Sequence, residues 1–308
     1  MTTPAAEAGG GGGPTVGSGP SVGSGPSVGR GPSVGSGALA GHDPDSSTLE
    51  TSVDLQWLGH ATVLLDLPGV RLMTDPFLRD RLGPLRRHGP LPGSGAIGPV
   101  DVVVISHAHP DHFDRASLRA IGGNPLVIVP SGLGARVRRI GLRVREVRVG
   151  ERVTIGPAWT ITAVPARHWR WPSAPRAAAI GYLIEGPGRG GIYFAGDTSP
   201  FKAMRDFASR VDIALLPVGA WGPHVSPGHL TPRSAAQVAS DLGARVAVPI
   251  HWGTLYPPGL ERWFGGRLTE PAARFTEWAG RLAPATEVRA LDIGGATRID
   301  LQARPDRP

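Results

Sequence analysis

Val102-Val103-Val104-Ile105-Ser106-His107-Ala108-His109-Pro110-Asp111-His112 drives four β-branched residues straight into three histidines and an aspartate. A run of this kind reads as a buried parallel strand, and α/β sheets place their chemistry just beyond the carboxyl ends of such strands. In an extended turn, residues at i and i+2 point the same way. His107 and His109 can therefore converge on one metal while Asp111 and His112 face a neighbouring one. The bland reading, surface or capping residues, is disfavoured because the pattern His-x-His-x-Asp-His is rare by chance.

Working outward, the pattern alternates β and α and then turns to β. Upstream, Val53 to Leu58 alternates at period two, Gly59-His60 turns the chain into Ala61 to Leu65, and Val70 to Thr74 follows Pro68-Gly69. This predicts a meander of strands ending in Thr74-Asp75-Pro76. Asp75 is either a turn former or a carboxylate that orients a metal-bound imidazole. Downstream, Asp114 can cap a helix over Arg115 to Ile121, and a second helix is expected near Gly134 to Ile140. Trp159 to Val164 delivers His168, Gly191 to Ala195 ends in Gly196-Asp197-Thr198, and Arg245 to Ile250, expected as the last core strand, ends at His251. Helices are expected over Phe201 to Ala208 and from Thr231-Pro232 through Leu242. His107, His168, Asp197 and His251 thus each follow a strand of the type found at a sheet's centre. A lone histidine or Gly-Asp-Thr is usually structural or a turn; their coincidence carries the weight.

Composition bounds the rest. Residues 1–50 read as a disordered tail: Gly9 to Gly13 precede four hexads from Pro14 to Gly37 with almost nothing apolar to bury. A β-helix needs a larger stacking residue than one valine per hexad. Residues 51–304 suit one large α/β domain. The formal charge is +7, and the tail contributes −3, so the remainder carries about +10. That favours anionic partners, but 31 of 32 basic residues are arginine, which points to a GC-rich coding sequence and weakens the argument. There is no cysteine, which excludes disulfides and thiolate zinc sites, so any metal must be held by His and carboxylate. With no signal-like N-terminus and no apolar run of membrane-spanning length, a cytoplasmic protein is expected.

On these residues the chain resembles the metallo-β-lactamase fold superfamily over residues 51 to about 300. Within it the likeness is greatest to N-acylphosphatidylethanolamine-hydrolysing phospholipase D and its bacterial relatives. It rests on Trp57-Leu58-Gly59-His60-Ala61-Thr62-Val63, Thr74-Asp75-Pro76, Arg167-His168-Trp169, Phe194-Ala195-Gly196-Asp197-Thr198 and Ile250-His251-Trp252-Gly253-Thr254. The resemblance implies an αβ/βα four-layer sandwich with a dinuclear site along one edge. One zinc takes His107, His109 and His168, the other Asp111, His112 and His251, and Asp197 bridges the pair; manganese is the alternative metal. Asp75 is the expected orienting carboxylate, and Asp111 and His229 are the candidate catalytic residues. His229 opens the helix that returns antiparallel to the last strand, which puts it at the edge where that strand ends. His42, His60, His88 and His224 are left as structural or exposed. The segment Gly219 to His229 departs from the lipase pattern by its shortness.

The expected reaction is hydrolysis of a phosphodiester, by a hydroxide shared between the metals, in a small molecule or a lipid, with peripheral contact to the inner membrane face as an option. A lactonase or other carboxyl hydrolase would use the same site. A nucleic-acid-binding or nuclease-like module is a third reading, but there is no aromatic-basic repeat typical of RNA recognition, so no obligate nucleic acid is expected. Arg167-His168-Trp169-Arg170-Trp171 reads instead as a wall of the site.

Overall fold

The computed structural model describes residues 52–303 apart from 92–96, 171, 173, 175 and 222–226. The expected tail and His224 lie outside the described residues.

Three strands open the fold, β1 (Ser52–Gly59), β2 (Thr62–Leu67) and β3 (Val70–Thr74), paired antiparallel as the alternation predicts. Two short strands, β4 (Arg81–Leu82) and β5 (Leu85–Arg87), lead to β6 (Val102–Val104), the strand of the opening motif. It is fully buried and parallel to β3 on one side and to β7 (Leu126–Pro130) on the other. β8 (Arg143–Val147) completes this half. The second half contains β9 (Arg152–Ile155), β10 (Trp159–Pro165), β11 (Ile180–Glu185), β12 (Gly191–Phe194), β13 (Val211–Pro217) and β14 (Val246–Ile250). After it come β15 (Leu255–Tyr256), β16 (Glu287–Val288) and β17 (Ala296–Asp300).

Two mixed seven-stranded sheets result, in the orders β17-β1-β2-β3-β6-β7-β8 and β16-β14-β13-β12-β11-β10-β9. Their inner faces share one core, in which Val53, Leu55 and Trp57 of β1 meet Ile161, Tyr182, Phe194 and Leu215 of the other sheet. Helices cover both outer faces. Leu118 of α1 (Arg115–Ala120) and Val137 of α2 (Gly134–Arg138) pack on the first sheet. Ala235 and Val238 of α3 (Pro232–Leu242) and Phe275 of α4 (Pro271–Leu282) pack on the second. This is the four-layer αβ/βα sandwich. The helix ends follow local chemistry: Asp114 accepts from Ser117 N, and Thr231 and Ser234 form a reciprocal capping box with Pro232 in the first turn.

Two expectations are corrected. Val246–Ile250 is followed by β17, which pairs with β1 in the register Ser52↔Asp300. Only Ile299 of its five residues is buried, so this edge strand carries almost no alternation to detect. His168 follows β10, which lies beside the edge strand β9 and is antiparallel to both neighbours, rather than a central parallel strand. The helix expected over Phe201 to Ala208 is present, as a 3-10 helix over Lys202–Arg210. Among the described residues no helix is long and apolar enough to cross a membrane.

Candidate metal centre

The predicted side chains arrive on loops at the carboxyl ends of strands from both sheets: His107 to His112 after β6, His168 after β10, Asp197 after β12 and His251 after β14. His229 arrives just before α3. Gly196 has φ +57°, and a Cβ there would stand 2.5 Å from Ser106 Cβ, so only glycine lets the Asp197 turn approach the motif loop this closely.

Two groups of side chains abut. His107, His109, His168 and Asp197 form one; His60, Asp111, His112 and His251 form the other, with ligand atoms within 4.8 Å of one another in each group. Asp197 stands between them. Its Oδ2 is 3.1 Å from His112 Nε2, 3.8 Å from His107 Nε2 and 4.0 Å from His168 Nε2, and its Oδ1 is 3.3 Å from His251 Nε2. His229 Nε2 lies 3.1 Å from the same Oδ2. The structure therefore brings together the seven side chains expected to hold metal, with His229 beside them.

Acceptors outside the cluster set which ring nitrogen faces inward. His168 Nδ1 donates to the Gly228 carbonyl at 2.9 Å, and His251 Nδ1 to the Gly219 carbonyl at 3.3 Å. His112 Nδ1 donates to Asp75 Oδ2 at 2.7 Å. The Ser106 hydroxyl donates to Asp75 Oδ2 at 2.5 Å and so is free to accept from His107 Nδ1 at 2.9 Å. With Nδ1 engaged in this way, each of these rings turns its Nε2 to the interior. His112 Nε2 and His251 Nε2 face each other at 3.1 Å, and His107 Nε2 is buried with no hydrogen-bond partner. Converging lone pairs beside two buried carboxylates fit a cation, and an all-nitrogen-and-oxygen donor set suits zinc or manganese.

Charge balance agrees. Burial pushes the His107 and His251 imidazoles well below their usual range and lowers His168, while burial and the neighbouring His168 bring His109 to about 4. Neutral imidazole is the form that binds metal. Burial opposes charge on His112 too, but the Asp197 and Asp111 carboxylates outweigh it and hold that ring well above its usual range. Burial alone would raise Asp197; the His251 and His112 rings outweigh it and keep the carboxyl well below the usual range. The buried Asp197 and Asp111 carboxylates thus favour positive charge between them, a place that a bound cation would take. Chelation should therefore lower the melting temperature by about 8–16 °C for metal held at roughly a thousand times its dissociation constant. Calorimetry before and after dialysis against a chelator checks this, and an unchanged melting temperature would remove metal from the folded state.

Asp75, open between two roles in the sequence, bonds both Ser106 and His112 and is fully buried. His60, set aside as structural, is placed inside the cluster: its Nε2 donates to Asp111 Oδ2 at 2.9 Å. Its backbone carbonyl accepts from His251 N at 2.8 Å and from Trp57 Nε1 at 2.9 Å. His60, Asp75 and His251 are the non-glycine residues at positive φ among those described, at 53°, 30° and 62°, so the strained backbone gathers in this one place. The available signal was a histidine directly after Gly59 in a hairpin turn. His60→Asn keeps a side chain tolerant of left-handed backbone but withdraws the ring from Asp111. It should weaken metal binding at the His112 group by about 10- to 100-fold, read by competition with a chelating dye; unchanged affinity would make His60 a packing residue.

Trp169, about half exposed, packs its ring against that of His109, tilted by 49° with centroids 4.2 Å apart, and walls the site, whereas Trp171 of the same cluster lies outside the described residues. His88 sits apart, edge-on to Tyr256.

Comparison with known proteins places this architecture. The beta-lactamase superfamily domain matches residues 70–252. An uncharacterized protein of Mycobacterium tuberculosis is 34% identical over 229 residues, covering 68% of this chain and 60% of its own length, so this chain spans less than two thirds of that relative. N-acyl-phosphatidylethanolamine-hydrolyzing phospholipase D 1 of Caenorhabditis elegans is 33% identical over 246 residues, covering 70% of this chain and 67% of its own. The metallo hydrolase Igni18 of Ignicoccus hospitalis superposes with a TM-score of 0.63 at 20% identity, over 82% of this chain and all of that one. With the two-sheet sandwich and the paired His/Asp groups at its edge, the chain belongs to the beta-lactamase superfamily and has the fold of its metal-dependent hydrolases.

Proposed function

We propose that the protein is a zinc-dependent phosphodiesterase of the N-acylphosphatidylethanolamine phospholipase D type. The observation that carries this reading is the placement of Asp197 within reach of both His/Asp groups, with His229 against it, on a chain one-third identical to a phospholipase D of that kind. His107, His109 and His168 would hold one ion, Asp111, His112 and His251 the other, and Asp197 both. Bound there, the ions supply Lewis acidity and ionise water at neutral pH.

The chain's own groups do the rest. The carbonyls of Gly219 and Gly228 and the carboxylate of Asp75 lock the tautomers of the ligand rings. His229 is placed to hand a proton to the departing alkoxide oxygen, the step a phosphodiester needs most. Trp169, and Trp221 two residues from Gly219, are each about half exposed and offer apolar contact to an acyl chain, in keeping with a lipid substrate and a peripheral approach to a membrane surface.

The test is turnover by the zinc-loaded protein of four substrates: bis(p-nitrophenyl) phosphate, an N-acylphosphatidylethanolamine in mixed micelles, an acyl-homoserine lactone and a thioester. Turnover of the two phosphodiesters and not of the carboxyl substrates is expected. Hydrolysis of the lactone or thioester alone would overturn the assignment in favour of a carboxyl hydrolase.

A further inference from the structure

The motif loop has two sides. His107, His109, Asp111 and His112 face the metal groups, whereas the interleaved Ala108, Pro110 and Phe113 line a separate cleft of about 560 Å³. One backbone layer thus divides the two. Every cationic side chain in the lining of this cleft is an arginine, and five arginines stand among apolar residues and a single carboxylate. Arg115 and Arg119 stand one turn apart on the exposed face of α1, Arg136 and Arg139 stand one turn apart at α2, and Arg79 closes one end.

Asp114 is the one carboxylate in the lining, and it is already engaged. It caps α1 through Ser117 N at 3.0 Å and the Ser117 hydroxyl at 2.6 Å, and it meets Arg79 Nη1 at 3.3 Å. Arg115, Arg119 and Arg139 carry no ion pair among the described residues. Those three guanidinium groups beside one committed carboxylate are an unfavourable arrangement for an empty surface, because like charges at one-turn spacing, as at Arg115 and Arg119, repel. Guanidinium forks from two helices lining one cleft match the geometry of phosphate oxygens.

We infer that this cleft is a second binding site, separate from the metal centre, for a small polyanion carrying two or three linked phosphates. Its volume admits a di- or triphosphate, with or without a nucleoside, and its arginines come from two short walls facing a pocket. A nucleic-acid strand would call for a groove that continues beyond the cleft and for aromatic side chains to stack its bases, and the lining holds one aromatic residue, the largely buried Phe113.

The experiment titrates tripolyphosphate into the zinc-loaded protein by calorimetry and maps the bound state by amide hydrogen exchange. Saturable binding is expected, with protection over α1 and α2. The double variant R119E/R139E should lose at least about 10-fold in affinity through removal of two charge-assisted contacts. Metal content and basal phosphodiester turnover should not change, since neither arginine touches the metal groups. The neutral variant R119Q/R139Q, which introduces no new charge, should lose affinity in the same direction by a smaller factor. Equal affinity in wild type and both variants would overturn the inference. So would protection confined to the motif loop together with loss of binding in Asp197→Asn, which would place the anion on the metals. Binding of polyuridylate without any binding of tripolyphosphate would overturn it as well.

Discussion

Asp197→Asn is expected to reduce phosphodiester turnover by about 10⁴-fold, the scale seen when one member of an interdependent catalytic unit is removed. The reason lies in what the two carboxylate oxygens face. Oδ2 lies 3.1 Å from His112 and 3.8 Å from His107, and Oδ1 lies 3.3 Å from His251, so the one carboxylate faces rings of both groups. An amide has one oxygen and an NH2 in place of the other. It cannot neutralise two cations, and its N–H atoms would oppose the ligand sets. Metal analysis of the variant should show loss of at least one ion per chain.

Asp75→Asn is the internal control. Asp75 Oδ1 accepts from Ser106 N at 2.7 Å, and Oδ2 accepts from both Ser106 Oγ and His112 Nδ1. An asparagine can accept on one side only, so it forfeits one of these sets while every proposed ligand remains. Losses at such outer positions run to about 10- to 100-fold. Equal losses in the two variants would mean that Asp197 is no more than an orienting group and would sink the bridging assignment.

His229→Ala is expected to spare both metals and to lower turnover of an alkyl phosphodiester by about 10²- to 10⁴-fold, the range for loss of a general acid. The effect should collapse on bis(p-nitrophenyl) phosphate, because p-nitrophenolate departs without a proton and an alkoxide does not. The contact between His229 Nε2 and Asp197 Oδ2 makes the comparison decisive. If His229 serves instead to hold Asp197, its removal disturbs the metals and slows both substrates alike. Equal loss on the two substrates, or loss of metal, would therefore remove it from proton transfer and leave it a positioning residue.

Much of this centre was legible in the chain because it is encoded locally. A β-branched run ending in His-Ala-His-Pro-Asp-His, a Gly-Asp-Thr turn after Gly191–Phe194 and a Thr231 cap before α3 each depend on residues within a few positions of one another. Alternation and capping are short-range rules, so they reveal which side chains sit at strand ends. What they leave open is which strand ends meet. His60 reaches Asp111 across 51 residues and is stitched to Thr254 across 194, and β17 joins β1 through Arg298 and Asp54, 244 residues apart. Such pairings follow from packing two sheets into one core, where burial is cooperative and no local pattern records the partner. The tertiary structure alone decided that His60 stands with the paired His/Asp groups, that β10 is an antiparallel strand beside the sheet's edge, and that arginines from three separate segments line one cleft beside the motif loop. The sequence by itself determined which His and Asp side chains stand at strand ends and in what order; the long-range burial of apolar strands determined their geometry.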